Sequence, residues 1–558
     1  MSRSTPKTQE IITYSCIYGS PPPNALDIIK GMCKKSLIYE IVHINHWLNP
    51  KNKVYFDNSF ATQKEILGYL TKKEDKKLLF KHYMVSILKI IEDQGKSKAY
   101  NIFSRVNCLF ALEQITNSED VKYIPDYKIN TAEKWKNLID YLLAINWELI
   151  NRENKGLEKI NENSIESLNP IMLMINELMI ESHFTFTPYR AHLLIQYFLN
   201  SKTYGQELIN YFEKTYQFQP IEFCRRIIEI FMGTSTDDPK FQFYYRIDDE
   251  KNFIKKLSQR TKHVEIYKLL GLRKSPFIQV SENEFLLGDK NFLIEKVYSQ
   301  LINDFWFDWL EPQRNENKQP KFRMDDYRGE FGRFFENYGV SLLKDTFAKY
   351  KYSICFGLDE LKFGKKRQKE LCDFYLRYEK KIILCEVKSG GINDKSKYGG
   401  DIESLYNENR SKFFLRYGVD QLVKALINLS EAAPKKDSNF PIGKTITIYP
   451  IIVVNEKVFQ TPLMAQIFNT RFQEKLLNIN LTKYNIKPLT LTHISDWENA
   501  EDALFDKPKE IWELLEYHFR EKKFIPPFFN TLNRKLIQLK KERKAINRFL
   551  NLLDKNSC

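Results

Sequence analysis

At 558 residues the chain is too long for one ordinary hydrophobic core, so two or three domains are expected. An apolar fraction of 43% and an aromatic fraction of 14% exclude a largely disordered chain. With 86 Lys and Arg against 71 Asp and Glu, the net charge of +15 favours polyanionic partners, chiefly nucleic acid, through phosphate neutralisation and counterion release.

The opening MSRSTPKTQE lacks the apolar core of a secretory signal, and no apolar stretch reaches membrane-spanning length. The scattered cysteines form no CxxC pair, which points away from a zinc ribbon or a disulfide framework. A soluble, reducing, cytoplasmic setting without a membrane partner is the resulting expectation.

From about Asn24 to Leu270, apolar residues recur at helical spacing, as in Lys136–Asn151, Ile171–Met179, Tyr189–Leu199 and Ile221–Phe231. The pattern predicts an α-helical domain over residues 1–272, to which periodicity assigns no activity. It is a candidate surface for a homo-oligomer contact or a partner protein. His43 and His46 stand three apart on a helix without a third ligand nearby, and read as packed or surface histidines.

Residues 273–321 read as a connector: a hairpin from Phe277–Val280 and Glu284–Leu287, an amphipathic helix Phe292–Trp309 and a polar linker Glu311–Lys321. Over 322–508 the pattern is mixed. A helix Tyr327–Lys344 precedes strands at Lys351–Phe356, Asp373–Arg377 and Lys381–Glu386. A helical stretch Arg410–Leu429, a strand Thr445–Val454, a helix Pro462–Leu477 and a strand Leu489–Thr492 follow. This order predicts a mixed central sheet flanked by helices. Residues 509–558 form a C-terminal helical extension that ends in a basic amphipathic helix, Leu532–Leu553. Its lysines and arginines could contact phosphates, and a solvated or subunit-pairing helix explains the same letters.

The chemistry concentrates in CDFYLRYEKKIILCEVKSGG, Cys372 to Gly391. A hairpin through Tyr378–Lys381 brings Asp373 towards Glu386 at the far end of the partner strand. Glu386 and Lys388 share one strand face while Val387 points to the other. Two carboxylates suit Mg²⁺, a hard cation that prefers oxygen, with Mn²⁺ as its substitute. The adjacent lysine can orient water, stabilise transition-state charge or assist proton transfer. No GxxxxGK[ST] phosphate loop accompanies the glycines Gly390 and Gly391.

Asp373 followed by Glu386-Val387-Lys388 resembles the D-x(n)-E-x-K core of the PD-(D/E)XK, or restriction-endonuclease-like, nucleases. Upstream, GRFFENYGVSLL (Gly332 to Leu343) is similar to the G-x-x-F-E helix of Mrr-like members, whose glutamate helps complete the metal site. Glu336 matches it, and Glu330, about 120° away around the helix, is the alternative acid. Downstream, YGVDQLVKAL (Tyr417 to Leu426) is similar to the family's Q-L-x-x-A helix, with Gln421 as the matching glutamine. The resemblance covers roughly Asp325 to Leu504. It implies a restriction-endonuclease-like α/β domain and a Mg²⁺-dependent endodeoxyribonuclease. In that reading Asp373, Glu386 and Glu336 hold the metal, Lys388 is the catalytic cation and Gln421 supports the site. Defence against foreign DNA is the setting implied. A catalytically silent nucleic-acid-binding or assembly protein on the same fold, and a structure-selective repair nuclease, are the competing expectations.

Overall fold

A computed structural model of the chain describes residues 9–49, 59–71, 77–94, 99–119, 121–122, 129–151, 178, 185–233, 243–247, 253–258, 269–364, 368–390, 417–442, 445–460, 462–477, 479–520, 525–536, 544, 547–548 and 550–551. The chain divides into two units. One comprises Met1–Glu153 with Leu178–Phe305, the other Asn154–Glu177 with Trp306–Cys558. Each is described by itself below.

The first unit is built mainly from helices, among them Lys34–Trp47, Phe60–Leu70, Arg105–Asn117, Ala132–Asn151, Phe186–Leu199 and Pro220–Gly233. Ser104 begins one of them through a reciprocal cap with Asn107, satisfying amide groups that the first helical turn leaves unpaired. The expected helix Ile171–Met179 lies outside the described residues, Leu178 excepted. Strands that the helical periodicity did not announce are also present: Gln9–Ile11 pairs in parallel with Ala99–Asn101. The hairpin of Phe277–Gln279 and Glu284–Leu287 gains a third strand, Tyr244–Arg246, and so belongs to this unit instead of to a connector. The single helix expected over Phe292–Trp309 is broken into Lys290–Glu295, Ser299–Asp304 and a π-helical turn, Phe305–Leu310. At the break, the buried ammonium of Lys296 is paired with Asp304, so neither of these two charges is left uncompensated.

Two buried polar side chains of this unit have well-defined partners. Arg105 donates from Nε and Nη2 to the two oxygens of Asp289 at 2.8 and 2.7 Å, both side chains being about 1% exposed. His46 is buried with Nε2 2.8 Å from the Leu287 carbonyl, and burial lowers its pKa to about 4. His43 packs among the rings of Trp47, Tyr69 and Phe243. Both histidines therefore serve packing.

In the second unit, helix α1 (Met324–Phe347) leads into strands β1 (Ile354–Phe356), β2 (Phe374–Tyr378) and β3 (Lys381–Lys388). Helix α2 (Val419–Ala432), strand β4 (Ile446–Val454), helix α3 (Pro462–Leu476), strands β5 (Tyr484–Ile486) and β6 (Thr490–His493) and helix α4 (Ile494–Asp506) follow. The strands form one mixed sheet in the order β5-β4-β3-β2-β1, with β6 also on β4. β3 is antiparallel to β2 and parallel to β4. Being central, β3 and β4 are buried on both faces, which explains their nearly unbroken apolar runs IILC and IYPIIVV.

Pro450 stands inside β4, where a missing N–H would ordinarily cost a ladder bond. The Ile448 carbonyl accepts from Lys487 N, so the residue two further on faces the same neighbour. That neighbour changes there: β5 pairs as far as Ile448 and β6 resumes at Ile451. The proline occupies the gap.

Helices cover both faces of the sheet. Leu422, Leu426 and Leu429 of α2 and Phe468 of α3 share a core with Ile382, Leu384, Ile448 and Ile452. On the opposite face Phe347 of α1 stacks on Phe374 of β2 and meets Trp497 of α4 edge-on. The architecture is thus mixed: a mainly helical unit, and an α/β unit in which helices flank a mixed sheet. None of the described helices is long and apolar enough to cross a membrane.

Candidate active site

The β2–β3 hairpin brings the acidic residues together. Its register pairs Cys385 with Phe374, and one step further along the ladder Glu386 comes opposite Asp373. Directly opposed like charges repel, so such a pair needs a cation or a proton. Lys388 provides the cation: its Nζ lies 2.8 Å from Glu386 Oε2 and 3.1 Å from Asp373 Oδ2. Asp373 Oδ2 also accepts the Val387 backbone N–H at 2.6 Å, which locks the carboxylate to the end of β3.

The set is buried. Asp373 is 5% exposed and Glu386 2%. Burial, then the Asp373 charge, push the Glu386 carboxyl up to about 8, and Lys388 only partly offsets this. Burial by itself would lower the Lys388 pKa, but Glu386 and Asp373 more than compensate and hold the ammonium above its ordinary 10.5. The Glu386–Lys388 contact is an ion pair without hydrogen-bond alignment, and Glu386 Oε2 remains buried without a hydrogen bond. The Lys388 ammonium, 2.8 Å away, is the partner that offsets the cost of burying this oxygen.

Helix α1 reaches the site because it crosses β3 at a glycine. A Cβ on Gly339 would come 2.8 Å from Val387 Cγ1, so only glycine allows this approach. Two turns earlier on the same helix, Gly332 lies beside Ser389. Glu336, between these two glycines, comes within electrostatic reach of Asp373 and Lys388. Burial first, and Asp373 second, raise its carboxyl to about 7. Glu330 instead pairs with exposed Arg333 on its own helix, and of the two it is Glu336 that stands within electrostatic reach of Asp373 and Lys388.

On the other side, α2 begins against the site. Gly418 adopts φ +89°, and a Cβ there would stand 3.0 Å from Glu386 Cβ and 3.3 Å from Lys388 Cε. A left-handed glycine thus starts α2 within contact of the acid–lysine pair, later than the expected helical stretch from Arg410, of which residues 410–416 lie outside the described residues. Gln421, in the first turn of α2, is exposed and points to no hydrogen-bond partner among the described residues. The basic C-terminal helix is described only in part. There Arg548 donates to both oxygens of Glu501, and Lys544 pairs with the same carboxylate, so these two charges are engaged within the protein.

One acid escaped the sequence reading. Glu370 is half-buried, its carboxyl raised by burial and held within electrostatic reach of Asp373 and Lys388. An extended chain would send residues three apart to opposite faces. A bend at Leu371 and Asp373 breaks that alternation, and no letter in KELCD signals it.

Among the described residues, no three His, Cys, Asp or Glu side chains form a ready-made ion cage. The Lys388 ammonium lies between the Asp373 and Glu386 carboxylates. The donor chemistry nonetheless fits a hard divalent cation: oxygen ligands only, with Glu386 Oε2 buried and lacking a hydrogen bond. No protein-family model matches the chain, and no curated protein matches it.

Proposed function

We propose that the chain is a metal-dependent nuclease that hydrolyses phosphodiester bonds of DNA, on a restriction-endonuclease-like domain within the second unit. The observation that carries this reading is the convergence of Asp373 and Glu386 on Lys388 Nζ, at 3.1 and 2.8 Å, at the end of two rigid strands. The resemblance of Asp373, Glu386-Val387-Lys388 and the Glu336 helix to PD-(D/E)XK nucleases supports it. The net charge of +15 suits a phosphate-rich substrate.

Asp373, Glu386 and Glu336 are the residues that would hold Mg²⁺ or Mn²⁺. When bound, the ion supplies Lewis acidity and lowers the pKa of a water. The protein's own contribution follows from its charges. Lys388, held above 10.5, stays protonated at neutral pH and therefore acts as a cation, not as a base. Its ammonium can stabilise the charge that develops on a phosphoryl oxygen, in a buried place where such stabilisation is strongest. Asp373, fixed by the Val387 amide, orients the ammonium. Gln421, exposed at the start of α2, suits a contact with the nucleic-acid backbone. Restriction of foreign DNA is the setting that the resemblance suggests.

One observation favours a second reading. Because Lys388 already bridges the two carboxylates, the trio could be a structural ion pair in a catalytically silent nucleic-acid-binding protein. The test separates the two. Wild type, Asp373→Asn and Lys388→Ala are incubated with supercoiled, linear and single-stranded DNA and with RNA, in Mg²⁺, Mn²⁺ or EDTA. The nuclease reading expects cutting that EDTA abolishes and that both variants lower by at least ~100-fold. Binding without cutting, unchanged by metal and by either substitution, supports the silent protein instead.

A further inference from the structure

Residues 311–321, a linker by composition, form an ordered finger in the second unit. Arg314 and Pro320 face each other across an antiparallel bridge. Lys321 N donates to the Gln313 carbonyl, Asn315 N to that of Gln319, and Lys318 N to that of Asn315. The Asn315 side chain accepts from the Asn317 and Gln319 amides and closes the tip, where Lys318 takes φ +60°. Trp306 before the finger stacks on Tyr327 after it, with ring centroids 5.4 Å apart, which pins its two ends. The finger thus bonds its own backbone while nearly all its side chains stand in solvent.

Its cations are held without counter-charges. Residues 313–323 carry Arg314, Lys318, Lys321 and Arg323 against Glu316 alone. The Arg314 guanidinium is steadied by two neutral groups, the carbonyls of Glu311 and Gln313, and makes no ion pair with a described residue. The exposed side chains of Lys318 and Arg323 make no hydrogen bond or ion pair with a described residue. By contrast, Arg377 has Asp437 and Arg548 has Glu501. An arginine fixed by carbonyls keeps its charge and its remaining N–H donors for an anion. Asp325 and Asp326 follow in the first turn of α1, where they face the positive end of the helix dipole.

Helix α1 sets where that anion lies. It runs antiparallel to β3, since Gly339 meets Val387 whereas the earlier Gly332 meets Ser389. Its first two turns therefore overhang the end of β3 where Lys388 emerges. From Gly332 back to Met324 the helix rises about 12 Å at ~1.5 Å per residue. That length matches about three to four steps of a DNA duplex at ~3.4 Å each.

We infer that the finger grips the sugar-phosphate backbone of duplex DNA about three to four base pairs from the bond that is cut, with Arg314, Lys318 and Arg323 as its phosphate contacts. The inference rests on the nuclease reading for the position of the cut, and on the finger's own charges and geometry for the contact. The finger lies outside Asp325 to Leu504, the stretch whose motifs resemble the nuclease family.

The test is duplex binding by the full chain in EDTA, which prevents metal-dependent cutting, followed by fluorescence anisotropy from ~50 to ~400 mM NaCl. The finger variant Arg314→Gln/Lys318→Asn/Arg323→Gln removes the three charges, and asparagine tolerates the left-handed backbone at position 318. The control Lys380→Gln/Lys381→Gln/Lys509→Gln removes as much charge at the opposite end of β3, where Lys381 pairs with Tyr378 and Lys509 lies over the Tyr378 ring. Far-UV circular dichroism verifies each fold. Each lost phosphate contact lowers the slope of log K against log salt by about 0.9. The finger variant should therefore lose about 2 to 3 from that slope and bind at least ~10-fold more weakly at ~100 mM salt, the control less than about 0.5. Arg314→Lys/Arg323→Lys, which keeps the charge, should stay within about 0.5 of wild type. An unchanged slope in the finger variant, an equal loss in the control, or a wild type that does not bind duplex would overturn the inference. If wild type shows the expected slopes but never cuts in Mg²⁺ or Mn²⁺, the phosphate contact stands and the nuclease reading falls. If wild type cuts while the finger variant binds unchanged, the finger contact falls alone.

Discussion

Glu386→Gln separates the electrostatic strain of the site from its chemistry. In the folded protein the Glu386 carboxyl titrates at about 8, against an ordinary 4.5. Between those values the folded chain holds a proton that the unfolded chain has released, so stability falls as pH rises through this window. One pKa unit corresponds to about 1.4 kcal/mol. From pH 6 to 8, with the group half-titrated at the upper end, metal-free wild type should lose about 2 kcal/mol through Glu386. For a unit of this size that is ~4–8 °C in Tm. Glutamine has no proton to lose, so Glu386→Gln should show a pH 6-to-8 loss smaller by that amount. Asp496, raised to about 7 by burial, adds the same loss to both proteins and cancels, whereas Glu336 shares Asp373 and Lys388 with Glu386, so both proteins are compared in a Glu336→Gln background. The measurement is calorimetric unfolding of the full chain in EDTA at pH 6, 7 and 8. Added Mg²⁺ should then stabilise wild type more at pH 8 than at pH 6, because the ion competes with the proton, and should do little for the variant. Parallel pH dependence of wild type and variant, within about 0.5 kcal/mol, would refute the burial argument.

Two further outcomes follow from the packing. Gly418→Ala forces a side chain at φ +89° and places its Cβ 3.0 Å from Glu386 Cβ; it should cost ~1–3 kcal/mol in urea unfolding and reduce DNA cutting by ~10-fold or more through displacement of the acid. Asp437 is fully buried, accepts from Arg377 Nη2 at 2.7 Å and from the Tyr375 hydroxyl at 3.1 Å, and also pairs with Arg377 Nε. Asp437→Asn should cost ~3–5 kcal/mol because the guanidinium loses its counter-charge, and Asp437→Leu with Arg377→Met should recover most of it in thermal unfolding.

Local pattern determined much of the second unit. The run KKIILCEVK specifies a buried strand ending in an acid and a lysine, because apolar runs of that length pack on both faces and the charges must emerge where the core stops. The turn at Glu379-Lys380 makes β2 its antiparallel partner, and alternation then sets Asp373 beside Glu386 and Lys388. The helix acid was legible as two candidates, Glu330 and Glu336. The packing of the helix on the sheet brings Glu336 within electrostatic reach of Asp373 and Lys388 while Glu330 pairs with Arg333, and contact across a sheet face is not written in either segment. Tertiary structure also decided what no periodicity carries. Pro450 is tolerated because two strands divide the same edge of β4. The hairpin at Phe277–Leu287 joined the first unit because a distant strand, Tyr244–Arg246, pairs with it. Glu370 reached the acid cluster through a bend, where a two-residue alternation predicts the opposite face. Periodicity is a property of neighbours in the chain, whereas burial and the balance of charge depend on residues far apart in it.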